Sequence, residues 1–334
     1  MKERDLIAAI SERAAPATNS SLLYGIGDDC AVTQKDSKNV LLYSMDTLIE
    51  SVHFDCAWHP PELLGRKAVA VNVSDIAAMG GTPQFILFSL GLPPGFDENW
   101  ALKLSDGVVD GCNQYDCTLI GGDTVASPTG VSISLTVIGE MAADLVLYRH
   151  GARAGDIIYV SGPLGRAAAG LELFKRGLGD RDEFGDFYRA HLDPKARTDL
   201  GKILSSSGLV HSMMDLSDGL ATDLAHICRR SKLGAVLYRQ QLPFDAVLED
   251  VAALVDMESL KLIIGGGEDY ELLLTVPPHA TKKLQEVVAQ SGDLLYPVGR
   301  MTAGMGVTLV QADLQNNTQE IPIEFLGFDH FTMR

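Results

Sequence analysis

Strand-like and helix-like hydrophobic patterns alternate along the whole chain, and the helices often follow two strands instead of one. Its 334 residues accommodate about two domains of roughly 150 residues each. A strict strand–helix–strand series would predict a parallel sheet, whereas paired strands followed by a helix favour helices layered on sheets. The sequence therefore predicts an α+β fold, with the pattern restarting after a glycine-rich junction at residues 149–156.

The hydrophobic spacing and the turn residues predict the individual elements. In the first half they predict helices at 2–14, 61–79 and 97–115 and strands at 30–34, 40–48, 84–91, 117–121 and 131–140. In the second half they predict helices at 164–176, 195–206, 219–231 and 279–290 and strands at 157–161, 209–216 and 270–276. The polar stretch 177–190 is predicted to be a surface excursion and the tail after 312 to be irregular. We expect two domains, at 1–148 and 149–334.

Acidic residues recur beside small residues at predicted strand ends and turns. Six such motifs are present: GIGDD (25–29), SMDT (44–47), NVSD (72–75), GGDT (121–124), DLSDG (215–219) and GGED (266–269). Each alone is explained by helix capping or turn chemistry. Together, however, carboxylates, hydroxyls and glycine backbone supply the hard oxygen ligands that Mg²⁺ and Ca²⁺ prefer. Two carboxylates about 4 Å apart repel by about 4 kcal/mol at an effective dielectric near 20. If these loops converge, they require cations or shared protons.

Charge and motif content exclude several classes of protein. The chain carries 27 Lys and Arg against 44 Asp and Glu, a formal net charge of −17. Such a chain lacks the basic surface of a general nucleic-acid binder and is repelled by anionic membranes. The motifs of P-loop enzymes, protein kinases, GxSxG hydrolases and HExxH metalloproteases are absent from the sequence.

Cysteine usage and apolar runs predict a cytoplasmic location. The five cysteines are scattered without a CxxC pair, which favours free thiols in a reducing compartment. The N-terminal segment contains Glu3, Asp5 and Glu12, where a secretory signal would have an apolar stretch. The best apolar run, 85–92, is much shorter than the roughly 20 residues that span a bilayer. We expect contact with neither membrane nor nucleic acid.

A resemblance to a known family rests on motifs spread over nearly the whole chain, from residue 2 to 331. These are GIGDDCAV (25–32), SMDTLIESVHF (44–54), NVSDIAAMGGTP (72–83), GGDT (121–124), YRHGARAGD (148–156), MDLSDGL (214–220), GGEDYEL (266–272) and GFDHF (327–331). In this order they resemble the thiamine-monophosphate kinase family, which is grouped with aminoimidazole ribonucleotide synthetase, selenophosphate synthetase and a hydrogenase maturation protein.

The resemblance implies a fold, a reaction and partners. The fold is the two-domain, aminoimidazole ribonucleotide synthetase-like α+β fold: the N-terminal domain binds ATP and magnesium and pairs its sheet across a homodimer. The C-terminal domain is an α/β sandwich that closes over the active site. The reaction is direct, Mg²⁺-assisted in-line transfer of the ATP γ-phosphate to thiamine monophosphate, the last step of thiamine diphosphate biosynthesis. Several Mg²⁺ ions and the co-substrate ATP are expected.

The resemblance also assigns site residues at matching positions. The metal ligands would be Asp28, Ser44, Met45 through its backbone, Asp46, Asp75, Asp123, Asp215 and Asp218. The ATP contacts would be Gly122, Arg149 and Ser217, and the substrate contacts His53, Glu268 and Phe328. No side chain is assigned as nucleophile or base, because a phosphate oxygen of the acceptor is already ionised at neutral pH; Asp46, Asp75 and Asp123 assist transfer through Mg²⁺. Ser105 stands where many relatives have an aromatic nucleotide contact.

Other interpretations stay open at this point. His53 is also explained as a packing residue, Arg149 as a surface ion pair and Phe328 as a C-terminal core anchor. Asp269 competes with Glu268 as the substrate contact. For the whole protein, the alternatives are a sibling ATP-dependent enzyme acting on another acceptor and a non-catalytic protein that binds divalent cations or nucleotides. Consumption of ATP that depends on thiamine monophosphate separates them.

Overall fold

The first half of the chain combines one sheet with several helices. The computed structural model describes residues 3–14, 19–312 and 318–323. The helices of this half are α1 (Glu3–Arg13), α2 (Pro61–Ala78) and α3 (Glu98–Gln114). The strands are β1 (Leu22–Tyr24), β2 (Ala31–Gln34), β3 (Asn39–Ile49), β4 (Thr82–Leu92), β5 (Thr118–Ala126) and β6 (Ser132–Ala142).

The second half forms a larger sheet between two helical layers. Its strands are β7 (Ile157–Val160), β8 (Ser212–Asp215), β9 (Gly234–Tyr238), β10 (Leu272–Val276), β11 (Tyr296–Thr302), β12 (Gly306–Ala312) and β13 (Thr318–Pro322). Its helices are α4 (Arg166–Lys175), α5 (Gly185–Leu192), α6 (Thr198–Ser207), α7 (Leu220–Ser231), α8 (Val247–Leu254), α9 (Ser259–Gly265) and α10 (Thr281–Ala289).

The first sheet has the strand order β1-β2-β3-β6-β4-β5. Its strands are antiparallel except for the parallel pair β4–β5. The strands bury alternate side chains against α2 and α3, as Leu42, Ile86 and Ile133 show. The opposite face exposes Met45 and Phe85, whose exposed fractions are 64% and 43%. This sheet therefore has one covered and one uncovered apolar face.

The second sheet has the order β13-β12-β9-β11-β7-β10-β8, with β9 and β12 parallel and the other pairs antiparallel. Side chains of α4, α5, α7, α8 and α9 form the core on one face, and those of α6 and α10 form the core on the other. The predicted α+β class is confirmed, and the second half is the expected α/β sandwich, with helices on both faces of its sheet. The predicted boundary between residues 148 and 149 falls in the connection between β6 and β7 and stays a prediction.

Helix α2 lies between the two halves and is buried along most of its length. It contacts β3, β4 and β6 of the first sheet, and α6 and β8 of the second half. Its close approach to α3 depends on two glycines: a Cβ on Gly65 would lie 2.3 Å from the Leu104 carbonyl oxygen, and a Cβ on Gly107 would lie 2.1 Å from that of Glu62. This helix carries polar residues of the first half, among them Ser74, to the second half.

Several element predictions were wrong or incomplete. The stretch 177–190 is not a surface excursion, because it includes most of α5, and Phe184 and Phe187 are 6% and 3% exposed. The tail after 312 includes β13, which pairs with β12. Strand 117–121 continues through the GGDT motif to Ala126, because it pairs along β4. Elements β1, β9, α8, α9, β11 and β12 were not predicted; each has 3 to 8 residues, too few for a clear hydrophobic period.

The described helices include none with both the length and the hydropathy needed to cross a membrane. All five cysteines are free, and four of them are buried: Cys30, Cys112, Cys117 and Cys228.

Candidate active site

Carboxylates from three distant parts of the chain meet where the two halves join. Asp29 lies in the loop between β1 and β2, Asp75 in the last turn of α2, and Asp215 at the end of β8. One carboxylate oxygen from each lies within 4.8 Å of the other two. Asp29 Oδ2 and Asp215 Oδ1 are buried and accept no hydrogen bond from the described residues. Buried acceptors without a donor are costly, so this acidic cluster has the geometry and the open valences of a cation site.

Hydroxyls and a guanidinium hold the remaining oxygens of the cluster. The Ser44 hydroxyl donates to Asp75 Oδ2, and Ser74 Oγ donates to Asp215 Oδ2 at 2.6 Å. Arg149 Nη2 lies 2.5 Å from Asp29 Oδ1. Each carboxylate thus has one oxygen held by the protein, which orients the group, as outer partners of metal ligands commonly do.

The electrostatics of the cluster favour a bound cation. Burial raises the pKa of Asp215 to about 7, and the charge of Asp29 adds to the shift. Burial and the neighbouring Asp218 raise the pKa of Asp46 to about 6. The pKa of Asp75 lies well above its usual range because of burial and the charge of Asp46. Without a cation these carboxyl groups bind protons more tightly than free ones do, and a divalent cation would favour their ionised forms.

Of the two acidic residues in GIGDD, Asp29 joins the cluster. Asp28 accepts hydrogen bonds from the backbone N–H of Arg149, at 3.1 Å to Oδ1 and 3.2 Å to Oδ2. Burial and the neighbouring Asp29 raise the pKa of Asp28 to about 7. The sequence reasoning named Asp28 and missed Asp29. The adjacency of the two acids was the available signal, but an irregular loop has no period that tells which side chain faces inward.

A cavity of about 770 Å³ lies beside the cluster, between the two halves. The residues named from the sequence that line it are Asp46, His53, Asp75, Asp215, Ser217, Asp218 and Glu268. His53 Nδ1 accepts a hydrogen bond from the backbone N–H of Ile49 at 3.0 Å, which orients the ring at the end of β3. The backbone N–H of Asp46 donates to Asn72 Oδ1 at 3.0 Å. A volume of this size fits a nucleotide-sized or vitamin-sized ligand.

Two loops of the second half pack against each other at the cavity wall. The backbone N–H of Glu268 donates to the Ser217 carbonyl oxygen at 2.8 Å, and that of Tyr270 donates to the Leu216 carbonyl oxygen at 2.9 Å. Both Glu268 and Tyr270 adopt positive φ, +68° and +50°. A Cβ on Gly267 would lie 2.5 Å from the Ser217 carbonyl oxygen, so this contact depends on glycine. Backbone strain of this kind concentrates at functional sites.

The two acidic residues of GGED have different roles. Glu268 faces the cavity, where its side chain is 23% exposed. Asp269 accepts a hydrogen bond from the Gly165 N–H at 2.8 Å, at the start of α4. Burial raises the pKa of Asp269 to about 7. Asp269 thus serves the fold at the α4 N-terminus, and Glu268 is the residue available to a ligand.

The remaining predicted site residues lie outside the cavity lining. Asp123 and Gly122 are on β5, separated from β3 by β4 and β6. Arg149 pairs with Asp29, Met45 is 64% exposed on the uncovered face of the first sheet, and Ser44 reaches the site through Asp75. Ser105 Oγ donates to the Ala101 carbonyl oxygen within α3. The prediction for Phe328 falls outside the described residues.

Both halves of the chain match known protein families. Residues 27–141 match the family described as AIR synthase related protein, N-terminal domain, and residues 153–311 match the corresponding C-terminal domain. Thiamine-monophosphate kinase of Escherichia coli O157:H7 is 36% identical over 332 residues, covering 98% of each chain. The Haemophilus influenzae enzyme of the same name is 38% identical over 335 residues, covering 99% of this chain and 98% of its own.

A solved structure has the same fold over nearly its full length. It is AaThiL complexed with AMPPCP and TMP, which superimposes with a TM-score of 0.85 at 32% identity, covering 99% of this chain and 97% of that one.

Proposed function

The chain belongs to the thiamine-monophosphate kinase family of AIR synthase related proteins, and on that premise we propose that it transfers the γ-phosphoryl group of ATP to thiamine monophosphate. The products are thiamine diphosphate and ADP. The observation that carries the proposal is the acidic cluster beside a cavity between the halves, with two oxygens that accept no hydrogen bond within the described part of the chain. Phosphoryl transfer depends on positioning and charge neutralisation more than on covalent chemistry.

We infer that the cation is Mg²⁺ and that several ions bind. The ligand set fits, because Asp29, Asp75 and Asp215 present carboxylate oxygens, two of which have no hydrogen-bond donor among the described residues. Asp46 and Asp218 line the adjoining cavity and would hold a further ion. When bound, Mg²⁺ supplies neutralisation of the phosphate charges that ATP and thiamine monophosphate bring together.

The chain's own residues then bind and orient the two substrates. The nucleophile is a phosphate oxygen of thiamine monophosphate, which forms a new bond to the γ-phosphorus of ATP. The bond between the γ-phosphorus and the oxygen that bridges it to the β-phosphate breaks, and ADP leaves with that oxygen. We assign no general base. His53 and Glu268 line the part of the cavity that we assign to the acceptor, and the Ser217 loop lines the part that we assign to ATP phosphates. Arg149 holds one oxygen of Asp29 through an ion pair, with Nη2 2.5 Å from Oδ1.

We further propose a cytoplasmic homodimer that forms through the uncovered face of the first sheet. Met45, Phe85 and Leu87 expose apolar surface there, and an apolar patch of this kind marks an interaction surface. Gly122 and Asp123 lie on β5 of the same sheet, and they do not line the cavity of their own subunit. If they bind ATP, they would therefore do so at this interface. Sedimentation equilibrium tests the dimer: Phe85→Asp should shift the mass from dimer to monomer.

Product analysis tests the function directly. Purified protein is incubated with ATP, Mg²⁺ and thiamine monophosphate, and the products are separated by ion-pair chromatography. We expect thiamine diphosphate and ADP in equal amounts, and no phosphorylation when free thiamine replaces thiamine monophosphate. ATP consumption without thiamine diphosphate would indicate a sibling enzyme with another acceptor. Binding of ATP and Mg²⁺ without any turnover would indicate a non-catalytic binding protein.

A further inference from the structure

Lys67 is a fully buried cation in the middle of α2 that the proposed chemistry does not use. Its side chain is 0% exposed, and its Nζ lies 2.8 Å from Glu268 Oε1. The same Nζ donates to the backbone carbonyl oxygen of His191 at 3.1 Å. Burying an ammonium group is unfavourable unless it is paired, so its presence here calls for a specific partner. That partner, Glu268, is the carboxylate that faces the cavity.

His191 holds the other oxygen of the same carboxylate. Its ring, at the end of α5, is completely buried, and its Nδ1 lies 3.0 Å from Glu268 Oε2. Burial and the charge of Lys67 lower the pKa of His191, which favours the neutral form of the ring in its contact with the carboxylate. The Glu268 carboxylate is thus contacted at both oxygens, by Lys67 on α2 from the first half and by His191 on α5 from the second.

The backbone of Glu268 is constrained as tightly as its side chain. Its φ of +68° is unfavourable for a residue with a Cβ, and its N–H is held by the Ser217 carbonyl oxygen. Such a conformation persists only where the surroundings determine it strongly. Although burial raises it, the pKa of Glu268 is held below its ordinary value by Lys67 and His191, so the group stays ionised. The side chain nevertheless remains 23% exposed, towards the cavity.

We propose that Lys67 and His191 are positioning residues that hold the Glu268 carboxylate in the orientation that contacts the acceptor. The inference rests on the proposed function, in which Glu268 binds thiamine monophosphate. The acceptor combines a cationic ring with an aminopyrimidine that donates hydrogen bonds, and an ionised, immobile carboxylate suits both. Neither Lys67 nor His191 reaches the substrate. They act through Glu268, and they do so only when both halves of the chain are in place.

Steady-state kinetics of Lys67→Met separates positioning from a merely structural role. We expect the KM for thiamine monophosphate to rise about 10- to 100-fold, because a misplaced contact of about 1 Å costs on this order. The KM for ATP should change by less than about twofold. Arg66→Met is the matched control: Arg66 is the neighbour of Lys67 on α2 and pairs with Asp193 at 2.9 Å, away from Glu268. It should lower the Tm and leave both KM values unchanged.

Comparisons in the Glu268→Gln background provide the decisive measurement, and they do not require that Lys67→Met folds on its own. Lys67→Met/Glu268→Gln removes both charges together, and its KM for thiamine monophosphate should equal that of Glu268→Gln alone. His191→Asn should raise this KM in the wild-type background and leave it unchanged in the Glu268→Gln background. Equal increases in both backgrounds, or an unchanged KM in every single variant of an active enzyme, would overturn the inference. A wild-type protein that does not phosphorylate thiamine monophosphate would instead overturn the proposed function.

Discussion

The acidic cluster should make the cation-free protein less stable than a variant with one carboxylate fewer. Asp215 is 2% exposed, and its pKa is raised from 3.8 to about 7. Because the folded protein holds this proton more tightly than the unfolded chain does, the group's contribution to stability is present below about pH 4 and is lost as the pH rises through about 7. Asp215→Asn retains a neutral side chain that accepts the Ser74 hydrogen bond, so it should stabilise the cation-free protein at higher pH.

The pKa shift of Asp215 sets the size of the expected difference in unfolding free energy between the wild type and Asp215→Asn. About three pKa units at about 1.4 kcal/mol each give an upper bound of about 4 kcal/mol near pH 8, and less than half of that near pH 5. At about 2.1 cal/mol/K per residue, the 334 residues have an unfolding entropy of about 0.7 kcal/mol/K, so the upper bound of about 4 kcal/mol corresponds to about 6 °C in Tm. In saturating Mg²⁺ the order should reverse, because the wild type gains binding energy that the variant lacks.

The assay is thermal unfolding of the wild type and Asp215→Asn, in EDTA and in Mg²⁺, near pH 5 and near pH 8. The control is Asp199→Asn, which removes a carboxylate that is 86% exposed and lies outside the cluster. The control should follow the wild type in all four conditions. An Asp215→Asn variant that is less stable than the wild type in EDTA near pH 8 would refute the reasoning, because it would mean that repulsion and desolvation do not dominate at this site.

Three further predictions concern catalysis, strand pairing and the contact between the halves. Asp75→Asn should nearly abolish turnover at any Mg²⁺ concentration while the far-ultraviolet circular dichroism is unchanged; activity near the wild-type level would remove Asp75 from the cation site. Gly122→Ala should lower the Tm and expose the amides of β5 to hydrogen exchange, because its Cβ would lie 1.7 Å from the Phe88 carbonyl oxygen; protection equal to the wild type would contradict this. Trp58→Ala removes a ring stacked on Phe174 at 4.7 Å and should cost about 3 kcal/mol in urea unfolding, whereas Trp58→Phe should recover most of it.

Much of the fold follows from local sequence signals. The helices α2, α3 and α7 begin and end within about two residues of their predicted limits, because an amphipathic or small-residue pattern is bounded by Pro, Gly or Asp. The α+β class follows from paired strands before helices. The acidic motifs indicated which loops carry the chemistry, since carboxylates beside glycine and hydroxyls are an unusual combination to repeat six times.

Short elements of the second half could not be predicted in the same way. In α5, the sequence GDFYRAHL has polar and glycine neighbours that hide its apolar face, and the burial of Phe187 becomes visible only when α4 packs against it. Strand β13 exists because β12 provides a partner for it. Pairing and packing with distant segments, and not intrinsic preference, determine these elements.

The sequence by itself therefore determined the α+β class, the main elements and the set of acidic loops, since all of these depend on neighbours within a few turns. Only the tertiary structure decided which member of each acidic pair serves the site: Asp29 enters the cluster beside Asp28, and Glu268 faces the cavity beside Asp269. The contact between Lys67 and His191, which are 124 residues apart in the sequence, is likewise visible only in the tertiary structure. The physical reason is that side-chain direction in irregular loops has no period, so it is set by the packing of the two halves around α2.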